Sequence, residues 1–191
     1  MRTLLIGLFV GLLSATGFAE MVANPVYEAW AACGPGSSVT TMISQTNEAE
    51  SVAQKETLVE VTPEHVMISV TVTLGRQVSS PTNVQIPAKI EKELVGLPRI
   101  LLDTDKPKPK IVEMKESKES VEVKGKKVEA TKYEYTTIES SNVEAKTVSA
   151  KVKYWISKDI PGGLVQLVVD VEKPEKMITT QQVMDYTKIA K

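Results

Sequence analysis

Residues 65–74, HVMISVTVTL, alternate without a break: Val66, Ile68, Val70, Val72 and Leu74 fall on one side, and His65, Met67, Ser69, Thr71 and Thr73 on the other. A period of two is the mark of a strand with one buried face, and a helix with this pattern would scatter its apolar groups around its whole circumference. The pattern recurs. In 147–157, Val148, Ala150, Val152, Tyr154 and Ile156 oppose Ser149, Lys151, Lys153 and Trp155, and in 164–171, Val165, Leu167, Val169 and Val171 fall together. Residues 20–191 hold 24 Val, 16 Thr and 11 Ile, so 51 of 172 side chains are β-branched. Such side chains are stiff at χ1 and favour the pleated surface. The expected fold class is mainly β: a single, strongly curved antiparallel sheet, a half-barrel or open barrel, with an N-terminal helix packed on its concave face.

Turn chemistry divides the strands. Thr62-Pro63-Glu64 joins 56–61, where Thr57, Val59 and Val61 are grouped, to 65–74. Lys124-Gly125-Lys126 joins 120–123 to 127–137 and places Val121, Val123, Val128 and Ala130 on one face, and Asp159-Ile160-Pro161-Gly162-Gly163 precedes 164–171. A further strand fits 39–46. The run 177–189 gathers its apolar residues poorly at helical spacing and reads as a strand. Asn24-Pro25, an N-cap followed by an N1 proline, opens a helix over about 25–33 that Gly34-Pro35-Gly36 ends, with Val26, Trp30 and Cys33 on one face. Residues 78–110, interrupted by Pro81, Pro87, Pro98, Pro107 and Pro109, read as an irregular connection holding at most a helical turn at 88–95, with 106–110 an extended spacer. No repeat of fixed period and no second core is visible, so 20–191 reads as one domain.

Residues 1–19 stand apart. Met1-Arg2 is basic, residues 4–13 are wholly apolar, and Gly17-Phe18-Ala19 places small residues at −3 and −1 before Glu20. This is the layout of a secretory signal peptide, and a spanning helix needs roughly 20 apolar residues. The expected mature chain begins at Glu20, is exported to the periplasm or beyond, and keeps no integral membrane segment. Cys33, the single cysteine, has no internal disulfide partner. It lies too far behind the apolar run for lipid attachment, so it reads as a buried thiol.

Charge and residue inventory exclude more than they suggest. Residues 20–191 carry 22 basic and 24 acidic groups, which gives no field to draw nucleic acid or anionic lipid. The single histidine, His65, borders a proline turn, and one His with one Cys cannot furnish a zinc site. There is no G-x-S-x-G elbow, H-E-x-x-H, Walker loop or EF-hand loop. Asp103-Thr104-Asp105 offers two carboxylates in a lysine-rich stretch, a weak metal site. Glu122, Glu129 and Glu134 alternate with lysines or apolar residues and read as solvated strand faces. No catalytic residue, metal or cofactor is expected, and the chain reads as a non-enzyme.

Two segments carry a resemblance: W-A-A-C-G-P-G-S-S-V at 30–39 and Y-W-I-S-K-D-I-P-G-G-L-V at 154–165. They resemble the opening and close of a group of uncharacterised exported bacterial proteins. These are similar in architecture to the periplasmic lipoprotein carrier and its outer-membrane receptor, in which a curved sheet wraps as a half-barrel around helices. The resemblance implies an exported binding module holding a lipid or other apolar ligand, with the 25–33 helix as a lid. The ligand-facing residues would be Trp30, Val66, Ile68, Val70, Val152, Tyr154, Ile156, Val165 and Leu167, a surface expected to be almost wholly apolar. The alternative is a structural or protein-interaction component of the cell envelope whose helix completes a filled core, with an envelope protein as its partner. The Pro161-Gly162-Gly163 close has a structural reading as a tight turn and a functional one as a ligand contact.

Overall fold

The computed structural model describes residues 19–46, 48–98, 110–140, 147–172 and 176–191. Residues 1–18 of the expected signal peptide 1–19, Asp103-Thr104-Asp105 and spacer residues 106–109 lie outside the described residues. The elements in chain order are β1 (Met21–Ala23), α1 (Pro25–Ala31), β2 (Ser38–Gln45), β3 (Val52–Val61), β4 (His65–Leu74), β5 (Gln77–Val78), β6 (Thr82–Pro87), β7 (Lys89–Glu91), a 3-10 turn (Lys92–Leu94), β8 (Lys110–Val123), β9 (Lys126–Ser140), β10 (Thr147–Ile156), β11 (Leu164–Val171) and β12 (Met177–Thr187). The protein is mainly β and its main sheet is antiparallel, in the order β5-β4-β3-β2-β12-β11-β10-β9-β8, with β6 beside β5 on the outer side of β4. Two meanders, β2–β6 and β8–β12, are therefore joined along one seam, the β2–β12 pair, which runs from Thr179↔Gln45 to Thr187↔Ser38. β1 and β7 form a separate two-stranded ribbon.

The helix starts where the sequence places it. Asn24 is extended, its side chain accepts the Val26 N–H at 3.0 Å, and Pro25 fills the first helical position. It ends at Ala31, two residues short of the expected 33, and Cys33 donates its thiol to the Ala29 carbonyl at 3.3 Å. α1 lies against β3, β4 and β6. The expected hairpin at Lys124-Gly125 also forms: both residues have positive φ, 51° and 74°, the left-handed pair of a two-residue turn. Residues 177–187 form a strand, as read.

Three expectations need correction. Residues 78–98 are not an irregular connection, because β6 pairs with β4 from His65↔Pro87 to Val70↔Thr82, and β7 pairs with β1. Pro81 and Pro87 sit at the bounds of an edge strand, where a missing N–H is tolerated. The expected helical turn contracts to the 3-10 turn, since Lys89–Glu91 is drawn into the ribbon. Second, Thr57, Val59 and Val61 do not share a face. A bulge between Leu58 and Glu60 inserts Val59, which is 49% exposed, while Leu58 is 1% exposed. Third, Val165 and Leu167 part company. A register shift at Trp155/Ile156 sends Val165 into one cluster with Trp30 and Trp155, and Leu167 into another with Val152 and Tyr154.

β10 pairs only with residues 131–140 of β9, so the far end of the β8–β9 hairpin runs past the end of β10. This end reaches β12, where Lys124 and Asp185 form an ion pair, and Val123, Val128 and Ala130 pack in the cluster that also holds Val165 and Val183. The middle of the sheet thus has cover from more than one side.

Candidate functional site

Alternation and register place Gln54 and Glu56 of β3, Thr41 and Ile43 of β2, Gln181 of β12 and Tyr154 of β10 on the same side of the sheet as Val66, Ile68 and Leu58. Two covers rest on that side. One is α1 with the 160–163 turn, over β3 and β4, and the other is the 92–98 segment, whose Leu94 and Leu97 pack with Tyr133, Tyr135 and Val152. Between the covers lies an open cleft of about 210 Å³ lined by Val26, Ile43, Gln54, Glu56, Pro98, Tyr154, Gly162, Leu164 and Gln181.

The cleft has a polar floor and apolar walls. Gln54 donates from Nε2 to Glu56 Oε1 at 2.6 Å, and Gln181 donates from Nε2 to Thr41 Oγ1 at 3.0 Å. Among the described residues of the lining Glu56 carries the one carboxylate, and Val26, Ile43, Pro98 and Leu164 form the walls. Thr41 and Gln181 are buried, so their mutual bond also meets the cost of placing polar groups there. A second hollow of about 440 Å³ opens beside the 3-10 turn, lined by Lys92, Glu93, Leu94, Val95, Leu97, Lys110, Ile111 and Met114.

The expected ligand-facing residues are not gathered around one void. Trp30, Val66, Ile68 and Val165 are fully buried in one cluster with Val70 packed against it, and Val152, Tyr154 and Leu167 belong to the other cluster with Ile156 at its margin. Tyr154 is the one of the nine that lines the cleft. The expectation that the inner face offers hardly a polar group does not hold, because Thr41, Gln54, Glu56 and Gln181 stand in it. Gln54 lies before the strand expected at 56–61, and Glu56 lies within it but opposite the face expected to be buried; the signal that finds both is the Gln54, Glu56, Leu58 alternation.

Several singled-out residues have structural roles. His65 Nδ1 lies 3.1 Å from Thr62 Oγ1 inside the β3–β4 turn. Cys33 is buried as expected, and burial pushes its thiol above the usual value despite the nearby Lys188 charge. At Gly162, with φ +75°, an added Cβ would lie 2.7 Å from Trp30 Nε1, so the Pro-Gly-Gly close is the backbone bed of the Trp30 indole. Burial drives the Tyr135 phenol far above its ordinary value, with Tyr154 beside it adding to the rise. Among the described residues no group of three or more His, Cys, Asp or Glu side chains could hold a metal ion, and no helix is long and apolar enough to cross a membrane. The chain matches no family model, and no curated protein matches it.

Proposed function

We propose that the chain is an exported, non-enzymatic component of the cell envelope that works through its surface as a structural or protein-interaction element. The observation that carries this reading is the filled core: Trp30, Val66, Ile68 and Val165 are 0% exposed and Val152 and Leu167 are 1% exposed. Side chains at that level of burial present no wall to a ligand, and the cleft beside them, about 210 Å³, is below the roughly 300 Å³ at which small-molecule sites begin. Export rests on the basic start, apolar run and small-residue site of residues 1–19. A half-barrel curl belongs to the same reading and draws support from the hairpin end of β8–β9 meeting β12, four places away in the strand order.

A lipid or apolar-ligand module is the second reading. What favours it is the 440 Å³ hollow bordered by Leu94, Val95, Leu97, Ile111 and Met114, although none of the nine expected residues borders it. Fatty acids of increasing length, titrated into a Trp155→Phe variant while Trp30 emission and native mass are followed, separate the two. The filled-core reading expects flat emission and no adduct. Affinity that climbs by roughly 0.8 kcal/mol per methylene overturns it in favour of the lipid module. Intact mass of the protein recovered from cells tests export, and retention of residues 1–19 counts against it.

A further inference from the structure

β8 ends the strand order, and among the described residues β9 is the one strand it pairs with. Its residues 113–118 and 120 are exposed. Val123 and Lys126 flank the two-residue turn at Lys124-Gly125 and oppose each other in the register, and in such a hairpin the flanking pair exchanges both hydrogen bonds. Counting back from Val123 in twos, residues 117, 119 and 121 turn their N–H and C=O groups to β9, whereas 116, 118 and 120 turn theirs to the open edge. An open row of this kind is a template for another strand. Lysines and the bulge between Val112 and Lys115 guard it against an arbitrary partner, and they confine any pairing to the stretch after the bulge.

We propose that β8 pairs antiparallel with β8 of a second copy of this chain, about a two-fold axis at Ser117. The order of charges selects both the partner and the register. Residues 115–119 read Lys-Glu-Ser-Lys-Glu. Reversed against itself about Ser117, that run sets Glu116 opposite Lys118 and Lys115 opposite Glu119, each twice, and opposite charges across a strand pair are favourable. A two-fold axis that continues the sheet leaves every residue on its own face, so it falls at a residue and not between two. At Lys115, Glu116, Lys118 or Glu119 it would set a charge against its own copy, and at Ser120 it would carry the pairing into the end where Val121 and Val123 pack with Val183. Glu119 already accepts bonds from Lys132 and the Trp155 indole, so the exposed Glu116–Lys118 pairs beside the axis carry most of the selection. A pairing confined to this short stretch is a small contact, and the dimer is accordingly reversible. The proposal is independent of the envelope role above, and a strictly monomeric chain would leave the filled-core reading standing.

The test is sedimentation equilibrium of the chain from residue 20 onward, at concentrations from about 10 μM to about 1 mM. A monomer–dimer equilibrium that weakens in about 0.5 M salt is the expected result. Glu116→Lys and Lys118→Glu each set like charges against one another beside the axis and should weaken self-association by about tenfold or more. An equimolar mixture of the two variants should dimerise as tightly as the parent, because only the mixed dimer has opposite charges at both positions, and that recovery also reports that both variants are folded. Ser117→Cys should cross-link to a dimer on mild oxidation, since the two copies of the axial residue lie about 4.5 Å apart in a non-hydrogen-bonded pair, whereas Ser120→Cys should not. Cys33 is buried and leaves that readout clean. A chain that stays monomeric at about 1 mM, single variants that associate as the parent does, a mixture no tighter than either variant alone, or Ser120→Cys cross-linking as readily as Ser117→Cys overturns the proposal.

Discussion

Gly162 and Gly125 share nearly the same backbone, with φ +75° and +74°, yet their surroundings differ. A Cβ at Gly162 would meet Nε1, Cε2 and Cζ2 of Trp30 within 3.0 Å, whereas one at Gly125 meets nothing within 4 Å. Gly125→Ala should therefore cost only the left-handed penalty, about 1–2 kcal/mol. Gly162→Ala adds overpacking against a fully buried indole, about 1–3 kcal/mol more, and the difference between their urea midpoints isolates the Trp30 contact. Tyr135 presents the opposite case, a group whose removal should help. Its hydroxyl is buried with no hydrogen-bond partner among the described residues, and such an orphan costs about 1–3 kcal/mol. Tyr135→Phe should leave the protein as stable or up to about 1 kcal/mol more stable near neutral pH. Burial raises the phenols of both Tyr135 and Tyr133 in the folded chain. The unfolded chain releases these protons first, near about pH 10, so stability is complete below that value and falls as pH rises toward the folded values. Tyr135→Phe should make this alkaline loss shallower, which denaturant midpoints taken at about pH 8 and about pH 11 would show.

The β8–β9 hairpin owes its position to contacts that one strand alone does not reveal. Lys132 bonds Glu119 at 3.1 Å and Glu134 at 3.3 Å, and it lies 5.1 Å from the centre of the Trp155 ring, whose Nε1 donates to Glu119 at 2.9 Å. Lys132→Met keeps the aliphatic stem and deletes the charge. It should remove a cation–π contact worth about 0.5–1 kcal/mol and shift Trp155 emission, with Trp30 unchanged in a paired Trp155→Phe control. The hairpin turn itself was legible, because Gly125 between two runs of Val, Lys and Glu can mean little else. β4 is legible through unbroken alternation, β11 through its Val165, Leu167, Val169 and Val171 spacing, β12 through apolar residues that gather poorly at helical spacing, and α1 through Asn24-Pro25. Two of the misplaced residues share one physical cause. A bulge shifts the period by one residue, so Val59 and Val165 changed sides with no mark in the sequence. β6 was hidden because prolines mark an edge strand and a loop alike. The cleft was hidden twice over, since Gln54 and Glu56 lie before the bulge that misled the reading of β3.

Across the whole molecule, the response to acid converges on that same hairpin. Hydrogen bonds from Trp155 and then Lys132 hold the Glu119 carboxyl below its usual range, and the Lys124 ammonium does the same for Asp185. Burial would lift Glu134, but Lys132 and Lys153 outweigh it and lower the carboxyl. Groups with depressed values stabilise the fold above their unfolded pKa, near about 4, and that contribution is lost as pH falls through the folded values. Denaturant midpoints should therefore fall on acidification, less so in Lys124→Ala, which has already lost the Asp185 contact. The seam between the meanders sets a different limit, on timing. β2 pairs with β12 across almost the full described length, Ser38 meeting Thr187. Long-range pairings of this kind slow folding, because loop closure must precede any reward. The first meander has no partner on the inner side of β2 until β12 arrives, so the two halves wait for one another as the chain emerges. Synthesis halted after residue 176 should yield a protease-sensitive chain, and the addition of 177–191 should complete one cooperative transition. A chain proposed to cross a membrane before folding gains from that delay, because β2, near its start, cannot complete its pairing until its last strand arrives.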